Sequence, residues 1–549
     1  MAAGKSSLEN NGIPISLTDQ NNTDLPPVDE NNAKLLSGYK LAALVFGLSC
    51  CVFCTALDST IVATSVPKIA TQFHSLEDVG WYASSYMLTT CAVTLPFGRV
   101  YTLFPPKWTY LSALFLFELG SLICGIAPSS LTFIIGRAIA GLGGGGLLTG
   151  SLVIISKCVP VHRRPVFSGL IMGMYAIASV VAPPLGGAFT DHVTWRLCFY
   201  INLPFGAVTG VAVFFTFQNT KPIVQATLKE MLWGMDPLGT LIFVSAIVSL
   251  LLALQWGGSV YPWGNGRIIA LFAVFGALLG CFVCLQLYLG KKAILPPHLL
   301  CRRNIWGSAL FAFCANGVLI SFVYYLPIWF QAVKGTSATR SGLMNLPFIL
   351  SNVLMTMLSG VFVTMAQYLS PFMLLSALMT CISAGILTTL EPTSGSAKWA
   401  GYQFFIGIAI GTGFQLPIFV VQTTLPATDI PIATALMTFA PLLGGSVFVS
   451  VAQNLFNNRL VAGLKAQMTQ TDVLAVLQAG PTGLWDRYQG DMLQTLLKVY
   501  NAAVTRTFYV GIGLAGASLI GAGVVQWRSP KEDANDDSRE ESTANFHIA

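Results

Sequence analysis

Charged residues are scarce in this chain of 549 residues, where Asp, Glu, Lys and Arg together make up 9%. Soluble domains carry about 25% charged residues, so this scarcity excludes an ordinary soluble globular protein. The charges lie between long apolar blocks, 54% of all residues are hydrophobic, and the mean hydropathy is +0.68. A helix needs about 20 apolar residues to cross a hydrocarbon layer about 30 Å thick. The sequence therefore predicts an all-α polytopic membrane protein.

The sequence also lacks several features that mark other functional classes. The net charge of +6 is scattered over short loops, so no nucleic-acid-binding face is predicted. Most of the twelve cysteines lie in or beside apolar segments, as Cys281 and Cys284 do, and we interpret them as small hydrophobic residues without metal or disulfide roles. The glycine run from Gly141 to Gly150 lacks the GK[ST] ending of a phosphate-binding loop. We expect no metal, no cofactor and no enzymatic activity.

Apolar segments of membrane-spanning length recur along the chain, about fourteen in all. They fall at about 40–61, 80–102, 108–127, 131–156, 166–189, 198–217, 238–255, 268–289, 306–330, 342–365, 371–390, 400–422, 432–456 and 507–527. Lys and Arg in the short loops are concentrated on the side of the N-terminus, so both termini are predicted to be cytoplasmic. The polar stretch 457–506 is then extracellular, and its pattern DMLQTLLKVY suggests short helices at the membrane surface.

The spans are interrupted by polar segments that suggest a domain layout. A polar, disordered cytoplasmic tail is predicted for residues 1–38, and a second one for 529–549. Between them we predict an N-terminal six-helix bundle over 39–220, a two-helix insert with cytoplasmic linkers over 221–303, and a C-terminal six-helix bundle over 304–528 that includes the loop 457–506.

The stretch from Phe167 to Pro204 combines small residues with a double proline. Ala178, Ala182 and Gly186 recur every fourth residue and form one small-residue stripe on a helix, which allows a neighbouring backbone to approach closely. Pro183 and Pro184 are expected to bend or break this helix. The stripe fits either packing against a moving partner or a static helix pair.

Three charged residues lie within predicted spans, where a charge is expensive and usually faces a cavity or a partner. Glu118 is a candidate proton carrier, or it is a neutral group that hydrogen-bonds a neighbouring helix. Arg137 either lies near a transport path, forms an ion pair that fixes helix positions, or extends to the outer surface. Asp58 is either functional or hydrogen-bonds a helix end.

The spans of the second half contain aromatic and amide side chains that are candidates for a substrate pocket. An apolar cavity with a few polar groups suits a bulky organic ligand, although aromatic residues near span ends also occur as an interface belt. The pocket candidates are Trp329, Gln331, Asn352, Gln403 and Gln415.

Several motifs in order resemble those of the major facilitator superfamily, and within it the fungal fourteen-span drug:proton antiporters. LDSTIVATSVPKIA from Leu57 resembles the first-helix motif, and GRAIAGLGGGG from Gly136 resembles the fourth-helix motif. DHVTWRLCFYINLPFG and YYLPIWFQAVKGTSATRSGLMNLP also resemble family segments, and the resemblance covers about residues 40–530. The antiporter motif GxxxGPxxGG is represented by Ala178, Ala182, Pro183, Gly186 and Gly187, with alanine at its first two glycines.

This resemblance implies two six-helix bundles plus two extra central helices. It also implies export of bulky, mostly apolar small molecules such as a toxin, a secondary metabolite or a drug, by alternating access and with the proton gradient as energy source. Asp58, Glu118 and Arg137 are then candidates for proton coupling or the transport path. The implied protein is a monomer in the plasma membrane rather than the vacuolar membrane, and its partners are substrate, protons and lipid.

Two other functions fit the same motifs. One is an importer of the same fold, for example of an iron–siderophore complex, because the fold alone does not distinguish an importer from an exporter. A transporter-like membrane sensor is the alternative from another class.

Two expectations follow from the resemblance. The stripe on the fifth span is expected to form part of the contact between the bundles, so that Gly187→Leu props them apart. The family's loop between spans two and three carries an acidic residue where this chain has Thr102, so a gating salt bridge from that loop is not expected here.

Overall fold

The computed structural model describes residues 38–75, 78–218, 231, 234–258, 260–366, 368–468, 473, 476, 484–485 and 487–527. The predicted tails 1–38 and 529–549 lie outside these residues, apart from Gly38, and so do residues 219–230 of the linker before the insert. We refer to the side on which the first helix begins as the cytoplasmic side, following the predicted orientation.

Six helices form the first half of the described chain. They are α1 Gly38–Phe73, α2 Val79–Leu103, α3 Pro106–Ile126, α4 Ser130–Cys158, α5 Arg164–His192 and α6 Leu197–Thr216, the last with a break at Ile201. Within this bundle α1 packs on α5, while α4 packs on both α2 and α3.

Eight further long helices follow. They are α7 Pro237–Trp256, α8 Gly266–Leu289, α9 Arg303–Lys334, α10 Leu346–Ala366, α11 Ser370–Leu387, α12 Ser396–Thr424 with a break at Phe414 and Gln415, α13 Ile430–Lys465 and α14 Gly490–Val524. In the second bundle α9 packs on α13 and α14, and α10 packs on α12.

Thirteen of these helices in the described residues are long and apolar enough to cross a membrane. The remaining one, α2, has 25 residues and at 1.5 Å per residue spans about 37 Å. Its several Ser and Thr residues lower its hydropathy but bond back to helix carbonyls, as Thr94 does to Thr90 O at 2.6 Å. The predicted all-α polytopic membrane fold is confirmed.

The helix ends differ from the apolar segments at three places. The helix α1 extends to Phe73 although its apolar segment ends near residue 61, and α13 extends to Lys465 although its segment ends near 456. The helix α14 begins at Gly490, so DMLQTLLKVY is its first part and is not a separate surface helix. Leu496 and Tyr500 of this part are buried in the core of the second bundle, which stabilises the extension.

The insert formed by α7 and α8 packs where the two bundles meet. Phe243 and Phe282 of the insert share one hydrophobic cluster with Leu95 of α2 and with Leu436 and Phe439 of α13. Burial of these side chains therefore ties the insert to one helix of each bundle.

The helix α5 is continuous from Arg164 through both prolines to His192, so of the two expected outcomes, a bend or a break, the break is not found. Proline removes one hydrogen bond and crowds one turn, and neighbouring helices tolerate this in a membrane protein.

The stripe Ala178, Ala182 and Gly186 is buried against α1 of the same bundle. A Cβ placed on Gly186 would lie 2.6 Å from Ile61 Cγ1 and 3.1 Å from Ile61 O. The expectation that this stripe forms the bundle contact was wrong, because periodicity shows that a face is small but not which helix covers it. A Cβ on Gly187 meets no atom within 4 Å in this conformation, so the steric argument attached to Gly187→Leu stays a prediction.

Candidate functional site

A fully buried ion pair joins α1 to α4. Arg137 Nη1 donates to Asp58 Oδ2 at 2.5 Å, and both side chains have 0% exposure. Arg137 lies two turns into α4 and is enclosed, so the extension of its side chain to the outer surface is excluded. Two charges that are removed from water require each other, because either one alone would be an uncompensated charge in a low-dielectric interior.

Three helices fix the Arg137 guanidinium. Its Nε donates to Tyr82 O of α2 at 3.1 Å, and its Nη2 donates to Asp58 O of α1 at 3.4 Å. Its carbon lies 4.4 Å from the ring centre of Tyr86 and 5.8 Å from that of Phe199, which is within the range of cation–π attraction. Arg137 thus connects α1, α2, α4 and α6 around one charge.

Glu118 lies half-way along α3 with a half-buried side chain, and both of its carboxyl oxygens are buried. Within the described part of the chain neither oxygen has a hydrogen-bond partner, so the alternative in which Glu118 bonds a neighbouring helix is not found. The carboxyl lies against Gly206 of α6, whose missing side chain makes room for it. A carboxyl in such surroundings is strongly disfavoured as an anion.

Asn202 and Ser121 connect these groups, and the sequence analysis did not single them out. Asn202 Nδ2 donates to Asp58 Oδ1 at 3.1 Å and to Ser121 Oγ at 3.1 Å. Asn202 stands just after the helix break at Ile201, and its side chain is fully buried. Its position in the INLP segment of the family-like motif was the available signal.

Two of the five pocket candidates hydrogen-bond another side chain. Trp329 is fully buried and its Nε1 donates to Asn501 Oδ1 at 2.7 Å, so it ties α9 to α14. Gln331 Nε2 donates to Ser341 Oγ at 3.1 Å. Both side chains therefore have a structural role at one end of the second bundle.

The other three carry unused polar atoms. Gln403 Nε2 donates to Met344 O at 3.1 Å, while its Oε1 has no partner among the described residues. Asn352 Nδ2 also has no partner among them. Gln415 stands in the break of α12, has 0% exposure, and neither amide atom has a partner in the described chain. Gln415 is therefore the pocket candidate with the most unused hydrogen-bonding capacity.

Hydrogen bonds join the two bundles on the cytoplasmic side. Ser168 Oγ of α5 donates to Gln422 Oε1 of α12 at 3.3 Å, and Gln422 Nε2 donates to Leu152 O of α4 at 3.4 Å. Arg164 Nη1 donates to Gln422 O at 2.8 Å. One buried glutamine of the second bundle thus bonds two helices of the first.

A further hydrogen bond lies deeper in the same contact. Thr149 of α4 and Thr438 of α13 place their hydroxyl oxygens 2.9 Å apart, and both side chains are buried.

Glycines bring the backbones of the bundles together at the same level. A Cβ on Gly360 of α10 would lie 2.6 Å from Pro165 O of α5, and one on Gly98 of α2 would lie 3.0 Å from Ile432 Cα of α13. Gly169 and Gly173 of α5 also lie against α10, and their four-residue spacing was a visible signal for this contact. The cytoplasmic halves of the bundles are closely packed.

The residue at the family's acidic loop position has a local role. Thr102 Oγ1 donates to Gly98 O of its own helix at 2.9 Å. The neighbouring Arg99 donates from Nε to Gly234 O before the insert at 2.9 Å. On this side, α2 is therefore linked to the insert through Arg99.

Comparison with known proteins gives the family. A family model described as the Major Facilitator Superfamily matches residues 48–449, which is most of the chain. The chain belongs to the Major Facilitator Superfamily. The predicted family and fold are thereby confirmed, and the protein is a multi-pass membrane transporter of small molecules.

Fungal relatives are similar over nearly their whole length. The chain is 63% identical to the efflux pump aunC of Aspergillus niger over 93% of this chain and 91% of that protein. It is 50% identical to the efflux pump roqT of Penicillium rubens, over 90% of this chain and 92% of that protein. It is 48% identical to the MFS-type efflux pump MFS1 of Trichophyton rubrum, over 92% of this chain and 94% of that protein.

A solved structure shares the fold. The human organic anion transporter MFSD10 superimposes with a TM-score of 0.54 at 12% identity, covering 91% of this chain and all of that one. This similarity concerns the fold alone.

Proposed function

We propose that the protein is a proton-coupled exporter of bulky, mostly apolar small molecules, such as a fungal toxin, secondary metabolite or drug. The export direction is supported by similar fungal proteins over most of the chain that are named efflux pumps. We propose that it acts as a monomer in the plasma membrane.

The observation that supports proton coupling is the buried group of charges in the first bundle. Asp58 and Arg137 compensate each other, whereas the carboxyl of Glu118 has no partner among the described residues. A carboxyl that is desolvated takes up a proton readily, and an approaching cation or a conformational change can release it. Glu118 is therefore the proposed proton carrier, and the Asp58–Arg137 pair is the group that links its state to the helices.

The cytoplasmic packing supports alternating access. Because Gln422, Thr149 and Thr438 join the bundles on the cytoplasmic side, we assign the described conformation to the part of the cycle in which that side is closed. Rocking of one bundle against the other would break these contacts and open the opposite side. Gln415, buried in the break of α12, is the proposed polar contact for substrate.

Flux measurements in proteoliposomes test the proposal. With the cytoplasmic face identified by labelling, a fluorescent apolar substrate is expected to move toward the extracellular face only when protons can move the other way. Glu118→Gln is expected to abolish the dependence on the gradient. Glu391→Gln removes an exposed carboxyl and serves as the control.

The alternatives give different results. Gradient-driven movement toward the cytoplasmic face would identify an importer. Absence of flux under every gradient would identify a sensor and contradict the proposal.

A further inference from the structure

Two facing pairs of residues set the register between α3 and α6. Ser121 lies opposite Asn202, with 3.1 Å between Oγ and Nδ2. One turn further toward the cytoplasmic side, the carboxyl of Glu118 lies against Gly206. Because the two helices run in opposite directions, residues 118 and 121 on α3 match residues 206 and 202 on α6. Asn202 and Glu118 are therefore about one helical turn, or about 5.4 Å, apart along the helices.

Three buried oxygens along this contact lack partners in the described part of the protein: Glu118 Oε1, Glu118 Oε2 and Asn202 Oδ1. An ionised Glu118 would leave two acceptors and no donor, which is the most costly arrangement. A protonated Glu118 supplies one donor, and Asn202 Oδ1 is an acceptor within one turn of it. The inventory of donors and acceptors therefore favours a proton on Glu118.

Asp58 has the opposite surroundings. Its Oδ2 accepts from Arg137 at 2.5 Å and its Oδ1 accepts from Asn202 at 3.1 Å. Donors on both oxygens favour the ionised form of a carboxyl. The amide of Asn202 thus offers its nitrogen to Asp58 and leaves its oxygen for Glu118.

The other titratable groups that interact with these two carboxyls are neutral at pH 7. They are thiols and phenols on the packed helices, namely Cys51 and Cys54 of α1, Tyr86 of α2, Cys124 of α3 and Cys198 of α6. Arg137 of α4 is the nearby cation.

We propose that Asn202 is a positioning residue that keeps the single proton of the Asp58 and Glu118 pair on Glu118 while the cytoplasmic side is closed. This rests on the proposed proton-coupled export. In this role Asn202 touches neither substrate nor the membrane, and acts by assigning opposite protonation states to two buried carboxyls.

Infrared spectroscopy of the purified full chain measures the proton directly. A protonated carboxyl gives its own C=O band, and wild type is expected to show one such buried band near neutral pH that Glu118→Gln removes. In Asn202→Ala the band is expected to shift in frequency, because the unpartnered Asn202 Oδ1, about one turn from Glu118 along the helices, is removed.

The pH profile of gradient-driven transport provides the functional measurement. Loss of the Asn202 amide changes the surroundings of both carboxyls, so the midpoint is expected to differ from that of wild type by about one pH unit. Asn202→Asp keeps the size of the side chain but replaces the donor by an acceptor, and is expected to shift the midpoint at least as far. It also serves if Asn202→Ala fails to fold.

Thr209→Val is the matched control. Thr209 is buried on α6 and donates to Gly47 O of α1 at 2.8 Å, so the control removes one hydrogen bond from the same helix pair without touching a carboxyl. It is expected to leave the band and the midpoint unchanged.

Two outcomes separate the inference from the proposed function. If wild type is gradient-driven but both Asn202 variants keep its band and midpoint, the role of Asn202 is wrong and proton coupling stands. If wild type itself shows no gradient dependence, the proposed function is wrong irrespective of the spectra.

Discussion

Ser168 Oγ on α5 donates to Gln422 Oε1 on α12 across the contact between the two bundles, at 3.3 Å. Gln422 is almost completely buried and also donates to Leu152 O. Each bond joins groups that separate when the bundles rock apart. These bonds therefore stabilise only the conformation in which the cytoplasmic side is closed. A ligand or a proton that opens this side has to offset them.

Gln422→Ala is expected to weaken cytoplasmic closure. It removes two side-chain hydrogen bonds worth about 0.5–1.5 kcal/mol each, which together shift the equilibrium about 5- to 150-fold toward the open side. The measurement is the alkylation rate of a cysteine introduced at Met172, which is buried in the cluster that α5 shares with α12 and α13 and which opening exposes. Thr423→Ala is the control, because Thr423 bonds its own helix at Phe419 O. Equal alkylation rates in both variants would contradict a gating role for Gln422.

A disulfide between α4 and α13 is expected to lock the transporter. Thr149 and Thr438 have oxygens 2.9 Å apart, which is compatible with the short Cβ–Cβ distance of a disulfide. Oxidation of the double variant Thr149→Cys/Thr438→Cys is expected to reduce transport to background, and a reductant is expected to restore it. Each single variant should be insensitive to the oxidant. A complete cross-link with normal flux would show that this contact does not move.

Asp58→Asn is expected to destabilise the protein by about 3–5 kcal/mol, because it leaves the Arg137 charge buried without a counter-charge. Adding Arg137→Gln is expected to recover part of that stability but no transport, since both charges are then absent. Thermal unfolding in detergent and flux in vesicles measure the two quantities. A double variant no more stable than Asp58→Asn would argue against the ion pair as the cause.

Gly360→Leu is expected to abolish transport while the protein still reaches the membrane. Its first side-chain carbon would already lie 2.6 Å from Pro165 O, which belongs to the backbone of the other bundle and cannot rotate away. Gly187→Leu is the matched comparison, because a Cβ there meets no atom within 4 Å. Measured as flux in vesicles, transport is expected to be lost in Gly360→Leu and retained in Gly187→Leu. Equal loss in both would restore Gly187 to the bundle contact.

The site was predicted in parts. Asp58, Glu118 and Arg137 stood out because a charge in an apolar span is costly wherever it lies. Which of them pair is a matter of three-dimensional neighbours, and single-sequence patterns do not contain it. Asn202 was missed because an amide next to a helix break carries no charge and no periodicity.

The sequence by itself determined that this is a multi-span membrane protein and which residues carry its rare buried charges, since both follow from local composition. Several motifs in a fixed order also indicated the family. Only the tertiary structure decided that the stripe on α5 packs against α1, that Arg137 binds Asp58 while Glu118 is left without a partner among the described residues, and that α13 and α14 extend into the polar stretch. The reason is that hydropathy and spacing describe one helix at a time, whereas pairing, closure and helix ends depend on the helix that lies opposite.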